Sequence, residues 1–67
     1  MLRFDKESLL TNPSVRNVYY EGDNYFCIED VSKVMDAELS KVVATVLPVS
    51  GKYIRMATIE DFENGTR

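Results

Sequence analysis

The segment Val15–Met35, VRNVYYEGDNYFCIEDVSKVM, decides how this chain is read. In Val15–Tyr20 the β-branched and aromatic residues alternate, so that Val18 and Tyr20 share one face and Asn17 and Tyr19 the other, as on a pleated strand. Glu21-Gly22-Asp23-Asn24 turns the chain, because Gly and Asn tolerate positive φ at small cost, and Tyr25–Ile28 returns as the partner strand. From Glu29 the apolar spacing becomes helical: Ile28, Val31, Val34 and Met35 fall on one face, and Glu29 and Asp30 place negative charge where a helix N-terminus favours it. A helix is predicted over Glu29–Met35.

Downstream, Asp36 is the expected N-cap of a second helix. Leu39, Val42, Val43, Val46 and Leu47 stand at i, i+3, i+4, i+7 and i+8, which predicts that helix over Ala37–Val46 and lets Pro48 end it. The β-branched content of the same run is also compatible with a buried strand. Val49-Ser50-Gly51 reads as a loop. Lys52–Ala57 alternates, with Ile54 and Met56 on one face and Tyr53 and Arg55 on the other, as a wing or third strand. Thr58 with Asp61 resembles a capping pair, Ile59 and Phe62 form an apolar edge, and Gly65 after Asn64 suits a stop, so a short helix closes the chain.

Upstream, Met1–Ser14 is a polar lead-in with about one helical turn, Leu9-Leu10 packing back and Asn12-Pro13-Ser14 turning the chain. The expected fold is α+β in a single domain over residues 1–67: a small β-hairpin, a helix-turn-helix-like helix pair, a wing strand and a short C-terminal helix.

Composition narrows the chemistry. Sixty-seven residues bury only about 60% of the unfolded surface, so stability is marginal and self-association, as a homodimer, is a reasonable expectation. Cys27 is the single cysteine and histidine is absent, which removes an internal disulfide, zinc fingers and Ser/His or Cys/His catalysis. Cys27 lies in an apolar-aromatic run and reads as a small buried hydrophobe. Glu29-Asp30 and Glu60-Asp61 are adjacent carboxylates that do not face one another on a helix, and they read as N-terminal charge rather than a metal site. No enzyme activity, cofactor or metal is expected. No apolar run approaches the roughly 20 residues of a membrane span, and the N-terminus lacks the apolar core of a signal peptide, so no membrane partner and a cytoplasmic location are expected.

Eleven acidic residues against eight basic ones give a net charge of −3, which opposes indiscriminate phosphate binding, so any affinity for double-stranded DNA must come from a local basic patch. Two short helices separated by Met35-Asp36-Ala37 and followed by an extended Lys52–Arg55 segment have the order of a winged helix-turn-helix. On that arrangement Ser40, Lys41 and Thr45 face outward on the second helix, with the acidic Glu38 beside them, and Lys52, Tyr53 and Arg55 sit on the wing. These six residues are the expected DNA contacts. Tyr19, Tyr20 and Tyr25 cluster on the hairpin and form the alternative surface, a hot spot for a protein partner.

Val15-Arg16, Val18, Glu21-Gly22-Asp23, Tyr25-Phe26 and Asp30-Val31, with Phe4-Asp5 upstream, resemble the Bro-N domain, the N-terminal module of phage antirepressors and of related proteins in large DNA viruses. The resemblance covers most of the chain. Tyr25 stands where that family commonly has Trp, and Met35-Asp36 replaces a frequent Leu-Gly. From Tyr25 onward, Tyr53-Ile54-Arg55 followed by Ile59-Glu60-Asp61-Phe62 is also similar to the ending of excisionase and MerR-type winged-helix domains. Both resemblances imply a phage- or prophage-type regulator of transcription or recombination. Its partner would be DNA or, for an antirepressor, a repressor protein.

Overall fold

The computed structural model describes residues 3–66. Three helices, α1 (Lys6–Thr11), α2 (Ile28–Met35) and α3 (Ile59–Gly65), accompany four strands, β1 (Asn17–Tyr20), β2 (Asp23–Cys27), β3 (Thr45–Val49) and β4 (Lys52–Ala57). The strands form one antiparallel sheet in the order β1-β2-β4-β3. The α+β class is as expected, and so are the first hairpin, the strand at Lys52–Ala57 and the C-terminal helix.

Both hairpins close by the same device. Glu21 and Gly22 have φ of 49° and 87°, and Ser50 and Gly51 have 51° and 82°, so each two-residue loop places both residues at positive φ. That is the pattern whose twist matches paired strands. The first turn is therefore tighter than its four-residue reading, with Asp23 and Asn24 already in β2.

The second helix of the expected pair is not formed. Residues 37–44 are irregular and lead directly into β3. Asp36 caps the end of α2 rather than the start of a new helix: it sits at φ 50°, its N–H donates to the Lys33 carbonyl, and the Ala37 N–H donates to the Ser32 carbonyl at 3.1 Å. This is the Schellman arrangement, in which a left-handed residue turns the chain off the helix axis. The Ser32 hydroxyl donates to the Ala37 carbonyl and ties the exit down. Leu39 and Val42 do reach the core, through a single turn closed by Val42 N–H to the Leu39 carbonyl at 3.2 Å. Val43 and Val46 are 70% and 56% exposed, so the apolar stripe is not one helical face. Pro48 does not terminate a helix; it lies in β3, an edge strand, where a missing N–H leaves no central ladder bond unmade.

The sheet buries residues on both faces. Alternation from the strand register puts Phe26 and Ala57 on one face, where Val31 of α2, Phe62 of α3, Leu9 of α1, Phe4 and Val15 close over them with Leu39 and Val42. The lead-in is thus part of the core: Phe4 stacks on Phe62 with ring centroids 5.1 Å apart. Leu10, expected to pack back with Leu9, remains exposed. Cys27, Leu47 and Met56 point to the opposite face and are nonetheless buried, because Val18 of one edge strand and Val49 of the other pack against the same cluster. The sheet curls to cover them.

One polar tie joins these layers. Asp30, in the first turn of α2, accepts from the Arg16 backbone N–H at 3.0 Å and from its Nε at 2.8 Å, while Arg16 Nη2 donates to the other carboxylate oxygen at 3.3 Å and to Cys27 Sγ at 3.4 Å. The carboxylate is only 14% exposed, and the hydrogen bond from the Arg16 guanidinium holds its pKa below the ordinary 3.8. A depressed carboxylate stabilises the fold above its unfolded pKa and loses that contribution as pH falls through the folded value. Asp30→Asn should therefore cost about 1–2 kcal/mol near neutral pH, and its deficit against the parent should shrink as the pH drops below about 4. Urea melts at several pH values check this; a deficit independent of pH would reject the ion pair as its source.

Candidate functional site

The charges of this chain are segregated. Residues 39–57 carry Lys41, Lys52 and Arg55 and no carboxylate, while all eleven acidic residues lie outside that stretch with the other five basic ones. The stretch comprises the turn that drops Leu39 and Val42 into the core and the whole β3–β4 hairpin. Only Met56 and Ala57 of β4 pair with β2, so residues 46–55 run beyond that pairing as a two-stranded ribbon.

Register divides the expected contact residues. Val46 lies opposite Arg55 and Pro48 opposite Tyr53, so these four share one face of the ribbon. All are exposed, Tyr53 at 81%. Thr45, opposite Met56, and Lys52, opposite Val49, are on the other face, with Leu47 and Ile54. That face packs against Cys27 and Met56, which leaves Thr45 half-buried and Lys52 exposed at the tip. The six residues proposed from sequence are therefore not one surface.

Arg55 is the centre of the part that does assemble. With Lys33 of α2, Ser40, Glu29 and Glu38 it lines a hollow of about 360 Å³ floored by Ile28 and Leu39. On its other side Arg55, Tyr53 and Arg16 border a second hollow, again with Glu29. Ser40 and Lys41 line a third with Glu38, Gly65 and Thr66. Among the described residues Arg55, Lys33 and Lys41 have no carboxylate within ion-pair distance, whereas Arg16 is committed to Asp30. Glu38 accepts from the Ser40 hydroxyl at 3.3 Å and puts negative charge among these cations. Lys33 was not anticipated, since nothing in its local pattern shows that packing α2 on the sheet brings it beside the ribbon.

The tyrosines divide in the same way. Tyr20 and Tyr25 share the face of Val18, with ring centroids 6.2 Å apart in an edge arrangement, and Tyr19 stands alone on the opposite face at 72% exposure. Burial of the Tyr25 ring raises its phenol pKa above 10.0, with Asp23, Asp61 and Glu21 adding to the shift, so it stays a neutral donor at physiological pH. Among the described residues no helix is long and apolar enough to cross a membrane, and no three potential metal ligands converge. No family model matches the chain, and no curated protein or solved structure matches it significantly.

Proposed function

We propose that this chain is a small, non-enzymatic regulatory module of the phage or prophage type that binds double-stranded DNA through the surface of residues 39–57. The observation that carries the reading is the carboxylate-free stretch, whose three cations form no ion pair among the described residues, set on an otherwise acidic body. A local excess of positive charge gathers phosphate even where net charge is negative, and the acidic remainder repels the duplex from every other side. The Bro-N and winged-helix resemblances point the same way, with one change: no helix occupies residues 37–44, so the contact cannot be made by a second helix in a groove.

Titration of a fluorescent random duplex across a salt series tests this. Lys33, Lys41, Lys52 and Arg55 neutralise at most four phosphates, so the log–log salt slope should be about −3 to −4 and should become shallower by about 1 in Lys41→Gln. Glu38→Gln should bind more tightly than the parent at every salt concentration. Absence of binding at low salt, or a Glu38→Gln variant no tighter than the parent, would reject the surface.

A second reading rests on Tyr19 and Tyr20, exposed aromatic rings on the acidic body. It makes the chain an antirepressor-like inhibitor docking a repressor or other protein through the first hairpin. Tyr19→Ala or Tyr20→Ala should then abolish recovery of one partner in pull-downs and leave DNA binding untouched.

A further inference from the structure

We infer that the β3–β4 ribbon itself is the reading element, laying the Val46, Pro48, Tyr53 and Arg55 face into the major groove of duplex DNA. This rests on the DNA-binding reading above and names the part that reads sequence. The groove is about 12 Å wide and admits either an α-helix or a two-stranded β-ribbon; α1, α2 and α3 all bear carboxylates, whereas the β3–β4 ribbon has none and carries Lys52 and Arg55.

Three features of the ribbon favour this use. It projects beyond the β2–β4 pairing. Its two faces are unequal: Leu47 and Met56 anchor one face on the curled sheet beside Cys27, which fixes the ribbon's position before any ligand arrives. The other face is exposed, with Arg55 beside the start of α2; it is uncharged except for Arg55 and bears apolar surface from Val46, Pro48 and the Tyr53 ring. Arginine presents a fork of donors to guanine O6 and N7, and apolar side chains meet the thymine methyl group, so this composition suits base edges rather than phosphates. Lys52 at the tip and Lys33 beside Arg55 are left to hold the flanking backbone, with Lys41 in the neighbouring hollow lined by Glu38, Ser40, Gly65 and Thr66. Glu29 lines both hollows that Arg55 borders and Glu38 lines one of them, so phosphate is repelled near Arg55 and groove entry is restricted to the outer part of the ribbon.

The experiment starts from a duplex selected out of a random pool by the parent protein, with dimethyl sulfate protection reporting guanine N7 in the major groove. The parent should protect one or two guanines. Arg55→Gln should lose about tenfold in affinity and abolish the protection, Tyr53→Ala should lose several-fold, and Lys52→Gln should lose about twofold with protection intact. All three positions are exposed, and unchanged circular dichroism confirms that the variants fold. Salt-dependent binding with no N7 protection, or full affinity in Arg55→Gln and Tyr53→Ala, would overturn the ribbon as reader while leaving DNA binding in place. No duplex binding by the parent would overturn both and leave the exposed ribbon face as a surface for an acidic protein.

Discussion

Phe62→Ala should remove a large part of the chain's stability at 25 °C. Phe62 is fully buried, stacks on Phe4, and belongs to the cluster that joins α1, α2, α3 and the sheet through Leu9, Val31, Phe26 and Ala57. Truncating a buried phenylalanine removes its transfer free energy and leaves a cavity, about 3–5 kcal/mol together. A domain of this length has roughly 3–10 kcal/mol of total stability, so one side chain takes a large share of it. Urea melts followed by far-UV circular dichroism measure the loss; a deficit below about 1 kcal/mol would mean that the Phe4–Phe62 stack is not the centre of the core. Phe4→Ala should be clearly destabilising too, because the lead-in supplies the facing ring.

The second large effect carries a sign opposite to the usual one. Replacing a helical glycine with alanine ordinarily stabilises by up to about 1 kcal/mol, since glycine loses more backbone freedom on folding. Gly65, the last residue of α3, has no left-handed φ to protect, so its expected role as a stop does not explain it. A Cβ there would lie 2.7 Å from Val42 Cα, 2.8 Å from its Cγ2 and 3.0 Å from its backbone N. Two of those atoms are backbone and cannot swing aside, so the 39–42 turn or the end of α3 must move. Gly65→Ala should therefore destabilise by about 1–3 kcal/mol and lower the melting temperature by roughly 5–15 °C. Displacing Val42 also shifts Ser40 and Lys41, so DNA affinity should fall with it. A melting temperature equal to or above the parent's would show that the close approach is relieved without cost. Asn64→Ala, one residue earlier and exposed, serves as the control and should change stability by no more than about 0.5 kcal/mol.

Much of the architecture was legible because it is locally encoded. The alternation of Val18, Tyr20, Tyr25 and Cys27 and the glycine at position 22 specify a hairpin without help from the rest of the chain. Thr58 and Asp61 form a reciprocal capping box, each accepting from the other's backbone N–H at 3.2 Å, as their spacing implies. The segment 37–49 was not legible in the same way. Leu39 and Val42 at i, i+3 satisfy a helix and a single buried turn equally, and Pro48 reads as a helix terminator until it is known to lie on a sheet edge.

For the candidate site, residue types could be read from the chain but their grouping could not. Lys41, Lys52, Tyr53 and Arg55 were recognisable as contact chemistry, yet placing Tyr53 and Arg55 on one face and Lys52 on the other depends on the β3–β4 register. Lys33 joins Arg55 only because α2 folds back over the sheet.

The sequence by itself determined the first hairpin, α2, the strand Lys52–Ala57 and the capped final helix, since each is specified by neighbours within a few residues. Only the tertiary structure decided that residues 45–49 are a strand. The outer edge of β4 needs a hydrogen-bonded partner, and Asp36 and Ser32 turn the chain off α2 at the point from which Thr45–Val49 can supply it, so pairing across the sheet overrode a helical spacing that no local contact enforced.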